Sequence, residues 1–312
     1  MEEFAFSTGD LARTRFAVCP MWEVGTSFRL LRSGRAHAVH QPWIEQVRPR
    51  IAAAGLDRGT LAELIPPAGY VPDFLNPVPA GPAPTLAEEL AAIADTPAAR
   101  IERDLDRLGR QNWRRDQLNR LVDEITAYWE LALAPYWARI SAVLDADVFH
   151  RARQVAEHGT GFVLNDLHAS LSWDDTALRL NRRLEAPPSA ISGAGLLLIP
   201  SAFTGPGLLA LLSTPPQLAY PARGLGTLWE PRPAVTALTG VLGRSRTRLL
   251  TELDAPACTA ELAARTGITR PGVSQHLTAL RDAGLVTAHR AGRTVLYART
   301  AVAESLLTGA IS

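Results

Sequence analysis

The sequence predicts an α+β fold, with a mixed helical and β N-terminal domain over residues 1–230 and a smaller C-terminal domain over residues 231–312. Three observations predict it. Apolar residues recur at helical spacing through most of the first half of the chain. Short strand-like runs separated by Gly, Pro, Asn and Asp follow. A basic segment of short helices and a hairpin comes last, and a length of 312 residues suits two domains.

The N-terminal domain opens with mixed elements and then a proline-rich stretch. A strand is expected at Arg13–Val18, followed by helices over Met21–Arg32, Pro42–Ala54 and Arg58–Ile65. The proline-rich stretch, residues 66–84, cannot be a regular helix or a central strand, because proline lacks the backbone donor. We expect an extended connector there.

A capping box predicts where the next helical stretch begins. Thr85 is followed three residues later by Glu88, the spacing at which the two side chains satisfy each other's backbone N–H groups. Helix is expected from there to about Val155, with interruptions near Pro97 and Pro135. Strands with a turn at Asp174-Asp175 are expected after Gly159. They are Gly161–Leu164, Ala169–Trp173, Thr176–Leu180, Gly195–Ile199 and Gln217–Tyr220.

The C-terminal domain has the spacing of a helix-turn-helix motif. Two short helices, Pro233–Val241 and Arg244–Leu253, precede a third that Thr259 can cap and Gly267 can end. Only Ile268 separates this stop from Thr269, which can cap a fourth helix. Two helices joined by so tight a turn form a helix-turn-helix, whose second helix enters the major groove of DNA. The recognition helix is therefore predicted at about residues 269–283.

Helical periodicity separates the buried from the free side chains of this helix. Val273, Leu277 and Leu280 lie within about 60° of one another at about 100° per residue, so they are expected to anchor it. A carboxylate is repelled by phosphate, so Asp282 restricts DNA contact to the N-terminal half. Gln can pair with adenine, and Ser, Thr, Arg and His can reach bases or phosphates, although His276 can equally be a structural histidine. The candidate contacts are Thr269, Arg270, Gly272, Ser274, Gln275, His276 and Thr278.

A hairpin follows the recognition helix and is predicted to be a wing. Its strands are Leu285–Arg290 and Arg293–Thr300, joined by Ala291-Gly292 as a two-residue loop. Arg290 and Arg293 flank the tip, where they can hold phosphate or enter a minor groove. The wing as a whole is expected over about residues 285–300, with Arg299 as a surface residue.

Charge is distributed unevenly between the two predicted domains. The net charge is +1, which taken alone argues against a nucleic-acid partner. Residues 243–312, however, contain nine arginines and five acidic residues and so carry +4, which leaves −3 on the rest of the chain. A basic module joined to a larger acidic one fits a DNA-binding protein.

The C-terminal motifs carry a family resemblance. Residues Thr259–Ile268, Val273–Val286 and Gly292–Tyr297, with their Ser-x-His-Leu and Ala-Gly-Leu-Val elements, closely resemble the ArsR family of winged helix-turn-helix transcriptional regulators. The whole chain resembles longer members in which an uncharacterised N-terminal domain precedes the winged helix. The resemblance implies a homodimeric repressor that binds an imperfect palindrome of double-stranded DNA and releases it when a ligand binds.

The sequence supports neither a cofactor nor a metal site. Metal-sensing ArsR members carry a Cys-x-Cys element before the third helix, but here Ala260 stands at the second position after Cys258, and one thiol cannot make such a site. The spacing of His150, His158 and His168 fits no ligand pattern. No dinucleotide-binding, Walker or nucleophile-elbow motif is present, so we expect no enzyme activity and no cofactor.

The predicted function is a sequence-specific, ligand-responsive DNA-binding regulator. The N-terminal domain is expected to sense a small-molecule effector of unknown identity through an aromatic-lined pocket, to mediate dimerisation, or both. Two alternatives stay open: an enzyme in residues 1–230 with an auxiliary DNA-binding module, and a protein-interaction winged helix without DNA binding. With two cysteines, no secretion signal and no apolar run long enough for a membrane span, a cytoplasmic protein is expected.

Overall fold

A computed structural model of the protein describes residues 2–34, 37–110, 113, 115–181, 193–211, 213–230, 238–292 and 294–309. Helices and short strands are mixed along the chain, which confirms the predicted α+β class. The strands are β1 (Glu2–Ala5), β2 (Arg15–Phe16), β3 (Leu171–Trp173), β4 (Ala177–Leu180), β5 (Leu197–Ser201), β6 (Leu209–Leu211), β7 (Gln217–Pro221), β8 (Val286–Ala291) and β9 (Thr294–Arg299).

The helices account for most of the remaining secondary structure. They are α1 (Thr8–Ala12), α2 (Pro20–Arg32), α3 (Gln41–Ala53), α4 (Thr60–Leu64), α5 (Leu86–Ala94), α6 (Ala98–Arg107), α7 (Arg115–Tyr128), α8 (Trp137–His158), α9 (Thr160–Leu167), α10 (Thr239–Leu242), α11 (Arg244–Glu252), α12 (Thr259–Thr266), α13 (Arg270–Asp282) and α14 (Ala301–Gly309). The described residues also form a π-helix, Trp129–Leu133, and 3-10 helices at Asp73–Leu75, Ala134–Tyr136 and Leu225–Thr227.

The chain divides into two compact units that interleave along the sequence. Unit 1 comprises Met1–Arg35, Thr60–Val122 and Val143–Leu225, and unit 2 comprises Ala36–Gly59, Asp123–Ala142 and Gly226–Ser312. The domains predicted from the sequence are contiguous, with a boundary near residue 230. Unit 2 differs from that prediction because it adds two segments from the first half of the chain to the C-terminal module.

Unit 1 is built on two small sheets. One is antiparallel in the order β1-β4-β3, and the other has the order β2-β5-β7-β6, with β2, β5 and β7 parallel and β6 antiparallel to β7. A single apolar cluster joins strands of both sheets to α9. It includes Phe6, Leu164, Trp173, Leu198 and Tyr220.

One predicted strand of this unit is wrong. Residues Gly161–Leu164 lie within helix α9, whose buried residues Val163, Leu164 and Leu167 occupy one helical face. A four-residue apolar run fits a buried strand and a buried helix equally well, so periodicity cannot separate them. The other predicted strands after Gly159 are confirmed, and Asp175 adopts a positive φ of 72° in the predicted turn between β3 and β4.

The predicted elements of the first half largely hold. Thr85 accepts a hydrogen bond from the Glu88 N–H, and the Glu88 carboxylate accepts one from the Thr85 N–H, which confirms the capping box. The helical stretch beyond it is interrupted near Pro97 and Pro135 as expected. Strand Arg13–Val18 is shorter than predicted, since only Arg15 and Phe16 pair with β5. Strands β1 and β6 have no counterpart among the predicted elements.

Asp10 ties helix α1 to the segment that leads into β5. Its buried carboxylate accepts hydrogen bonds from the Ser7 N–H and hydroxyl and from the backbone N–H groups of Gly193 and Gly195, at 2.6–3.1 Å. Burial alone would raise the pKa of this carboxyl. The hydrogen bonds from Ser7, Gly195 and Gly193 outweigh that effect and lower the pKa to about 2.

The Asp10 carboxylate is expected to give unit 1 an acid-sensitive contribution to stability. Because its folded pKa lies below its usual value, this contribution is complete above about pH 4 and is lost as the pH falls through 2. Asp10→Ala leaves backbone donors unsatisfied and should cost about 1–3 kcal/mol at pH 7, with a smaller difference at pH 2. Urea unfolding at both pH values measures this. Asp116→Ala, at an exposed surface pair, is the control, and an equal loss there would contradict the role given to Asp10.

Candidate nucleic-acid interface

Local sequence signals fix the turn between α12 and α13. Gly267 ends α12 in the left-handed conformation, with φ at 69°, and Thr269 accepts a hydrogen bond from the Gly272 N–H at 3.4 Å. The predicted stop and the predicted Thr269 cap are confirmed. The predicted Thr259 cap is wrong by one residue. Cys258 is the N-cap of α12, and its N–H donates to the Glu261 carboxylate at 2.8 Å.

The recognition helix α13 is anchored through the face predicted from its periodicity. Val273, Leu277 and Leu280 are fully buried. They belong to one apolar cluster with residues of α11, α12, β8 and α14. Because this cluster holds one side of α13, the opposite side is fixed in orientation and faces solvent.

The exposed side of α13 carries the predicted DNA-contacting residues. Thr269, Arg270, Ser274, Gln275 and Thr278 are exposed, whereas Gly272 and His276 are half-buried. The helix thus presents hydroxyl, amide and guanidinium groups, which are the groups that read base edges and phosphates.

The C-terminal end of α13 is chemically different from its N-terminal half. Arg281 and Asp282 lie side by side there, with Arg281 Nη2 at 3.5 Å from Asp282 Oδ1 and both side chains exposed. The Asp282 carboxylate partly neutralises the guanidinium and repels phosphate. Net positive charge on this helix is therefore carried by Arg270, at its N-terminal end.

The wing is an antiparallel hairpin whose loop differs from the prediction. Ala291 pairs with Thr294, so Ala291 belongs to β8 and the predicted Ala291-Gly292 loop is shifted by one residue. Arg290 is exposed, pairs across the hairpin with Val295, and donates from Nε to the Gly292 carbonyl at 3.4 Å. Arg293, the other predicted wing contact, lies outside the described residues.

Arg299, at the base of the wing, is not the surface residue that was expected. It is buried, donates to the Thr251 carbonyl at 2.9 Å and forms an ion pair with buried Glu304 at 3.6 Å. Arg299 therefore holds β9 between α11 and α14. No local pattern distinguishes it from the exposed Arg290 of the neighbouring strand.

The sequence also contains no indication of which segment packs against the wing on the side away from the helix-turn-helix core. The segment Trp129–Tyr136, here named the wing brace, packs against β8 and β9 within unit 2. Glu130 of the brace lies 3.2 Å from His289 Nδ1 in the wing. These residues are 159 positions apart, and no sequence signal links them.

Neither a metal-binding cluster nor a membrane-spanning helix occurs among the described residues. Among those residues, no group of three or more His, Cys, Asp or Glu side chains could hold a metal ion. His168 instead hydrogen-bonds to Ser170 and the Pro206 carbonyl, and His150 to Arg223. No helix in the described ranges is both long and apolar enough to cross a membrane.

Comparison with known proteins agrees with this geometry. Residues 247–288, which run from α11 into β8, match the family model described as bacterial regulatory protein, arsR family. Neither the curated proteins nor the solved structures gave a match to the chain. The matched segment contains the whole helix-turn-helix, so residues 247–288 form an ArsR-family helix-turn-helix, which supports DNA binding and a role in transcription regulation.

Proposed function

We propose that this chain, whose residues 247–288 form an ArsR-family helix-turn-helix, is a homodimeric, ligand-responsive repressor that binds a palindromic operator. The observation that carries the proposal is that α13 is amphipathic. Its apolar side is buried in the domain core and its polar side faces solvent. A helix fixed in this way can enter a major groove, about 12 Å wide, and present side chains to the base edges.

Each of the predicted DNA-contacting residues has a role in this proposal. Gln275 lies opposite the buried face and can pair with adenine through its amide, whereas Arg270 can bind guanine or phosphate. Ser274, Thr278 and Thr269 can donate to phosphate oxygens. Gly272 adds no side chain beside these groups, and a Cβ there would lie only 3.1 Å from the Ile268 side chain in the turn. His276, half-buried on the flank, completes the set together with Arg290 and Arg293 of the wing.

Exposed apolar side chains of unit 2 support the homodimer. Val302 and Leu306 are exposed four residues apart on α14, and Val241 of α10 is more than four-fifths exposed. Residues at i and i+4 share a helix face, so α14 offers an apolar stripe to a partner. A two-fold dimer places two recognition helices one DNA turn apart, which matches a palindromic operator.

Repression and ligand response complete the proposal. A dimer bound across a promoter blocks transcription. An effector that binds more tightly to a conformation unable to bind DNA lowers the affinity for the operator, to the extent that its affinities for the two conformations differ. We assign effector sensing to the N-terminal part of the chain and give the protein no catalytic role. A thermal-shift screen of metabolites, with DNA release as the second readout, identifies the effector.

Binding to the DNA upstream of the chain's own gene tests the proposal. The full-length protein should bind this fragment more tightly than an unrelated fragment by a factor of about 10³ or more at physiological salt. Its affinity should fall steeply as salt rises, because phosphate contacts release counterions. Equal affinity for both fragments, or a monomeric mass at the binding concentration in sedimentation, would contradict a sequence-specific dimer.

A further inference from the structure

The wing hairpin has two faces, and the core of the helix-turn-helix packs against only one of them. The strand register pairs Thr287 with Ala298 and His289 with Leu296, so these four residues share a face. Leu296 and Ala298 are only 4% and 2% exposed, yet neither belongs to the apolar cluster that holds α13. Arg290 lies on the opposite face and is exposed. A second element must therefore cover the face that carries His289.

The wing brace is that element. It contacts both wing strands, and its residues Pro135 and Tyr136 line a small cleft together with Ala298. A two-stranded hairpin with one free face is only marginally stable in water. Contact with the brace buries the second face, so the orientation of the wing depends on residues 129–136.

Contacts that do not involve the wing hold the brace in place. The Trp43 indole N–H donates to the Ala132 carbonyl at 2.8 Å, and the Tyr136 hydroxyl donates to Gln46 at 3.0 Å. The Tyr136 ring also meets the Trp229 ring edge-to-face, with centroids 5.5 Å apart. The brace is thus a fixed support, because α3 and Trp229 anchor it independently of the strands that it covers.

One polar contact connects the brace to the wing at the position beside Arg290. His289 Nδ1 lies 3.2 Å from Glu130 Oε2, and His289 Nε2 lies 2.8 Å from the Thr287 hydroxyl. Both ring nitrogens are engaged, so the imidazole has one defined orientation. Only 14% of the His289 side chain is exposed, against 46% for Glu130. His289 is therefore shielded from solvent, whereas Glu130 is exposed enough to be substituted without disturbing a buried core.

We propose that Glu130 is a positioning residue for the wing, which acts through His289 to hold Arg290 where it meets the DNA backbone. The proposal rests on the function proposed above and adds that the DNA-contacting surface depends on a segment far outside residues 247–288. Glu130 touches no DNA in this scheme. Its effect on binding passes through the orientation of β8.

Amide hydrogen exchange of the full-length protein without DNA tests the structural half. In Glu130→Ala, exchange in peptides from β8 and β9 should accelerate about tenfold, while peptides from α12 and α13 should keep their protection. Glu130→Gln keeps an acceptor oxygen and should restore much of the protection. Glu45→Ala, at an exposed residue of α3 whose side chain bonds Gln41, should change nothing. Unaltered wing protection in Glu130→Ala overturns the proposal.

DNA binding of the same variants tests the positioning role. Glu130→Ala and Arg290→Ala should each lower the slope of log affinity against log salt by about one, as expected for one lost phosphate contact. The slope of the double variant should fall no further than that of either single variant, because the two substitutions remove the same contact. If the wild type binds DNA and Glu130→Ala binds with an unchanged slope, the positioning role is overturned. If wing protection falls but the wild type binds no specific DNA, the contact with the brace stands and the proposed function fails.

Discussion

Arg151→Ala should destabilise unit 1 by about 3–5 kcal/mol, because it leaves a buried carboxylate without its cationic partner. Arg151 is only 4% exposed. Its guanidinium lies 4.0 Å from the buried Asp147 carboxylate and 2.5 Å from Asp166, and it also donates to Gln154. The loss should appear as a lower midpoint of urea unfolding for unit 1.

The surroundings of Asp147 explain why this loss is large. Its carboxylate also accepts hydrogen bonds from the Tyr220 hydroxyl at 2.7 Å and the Arg223 N–H at 3.1 Å. Burial, with the charge of Asp147 beside it, raises the pKa of Tyr220 well above its usual range, so the tyrosine stays protonated as a donor. Arg151 provides the compensating positive charge, and a partly satisfied buried network is costly.

Arg153→Ala is the matched control for Arg151→Ala. Arg153 lies two residues further along α8 and forms an exposed i,i+4 pair with Glu157 at 3.1 Å. Exposed pairs of this kind contribute roughly 0–1 kcal/mol, so the control should unfold almost like the wild type. If both variants lost a similar free energy of unfolding, the loss would come from replacing an arginine of α8 and not from breaking the buried ion pair.

Trp43→Ala should destabilise unit 2 by about 3–5 kcal/mol, the usual cost of removing a buried Trp or Phe side chain. Trp43 is fully buried, stacks on Trp229 with ring centroids 6.4 Å apart, and hydrogen-bonds to the Ala132 carbonyl in the brace. Trp43→Phe keeps most of the volume and loses the hydrogen bond, so it should cost less.

Amide exchange in wing peptides is the decisive readout for Trp43→Ala. Faster exchange in β8 and β9 would show that α3 and the brace fold together with the C-terminal module. If residues 231–312 instead fold alone, as the sequence-based boundary implies, the wing peptides should keep their protection in this variant. Phe149→Ala, at an exposed side chain of unit 1, should leave these peptides unchanged.

The helix-turn-helix could be predicted from the sequence because its determinants are local. Thr269 caps α13, Gly267 ends the preceding helix, and the Val273, Leu277 and Leu280 spacing selects the buried face. Each signal lies within a few residues of the element that it controls. The exposed face of α13 follows directly once the buried face is known.

Other features could not be predicted because they depend on tertiary context. Helix α9 contains an apolar run too short to carry a period, and the core that it joins decides between helix and strand. Arg299 is buried because Glu304 and the Thr251 carbonyl offer it partners. The contact between Glu130 and His289 joins segments far apart in sequence, and a π-helix such as Trp129–Leu133 has no sequence signature.

The affinity of α13 variants for an operator fragment tests most directly whether this helix reads DNA. We expect Arg270→Ala and Gln275→Ala each to weaken binding by about 1–3 kcal/mol, roughly 5- to 150-fold. Arg281→Ala, at the Asp282-paired end of the same helix, should bind within about twofold of the wild type. Wild-type affinity in Arg270→Ala and Gln275→Ala, or a comparable loss in Arg281→Ala, would contradict the assignment of the N-terminal half of α13 to the major groove.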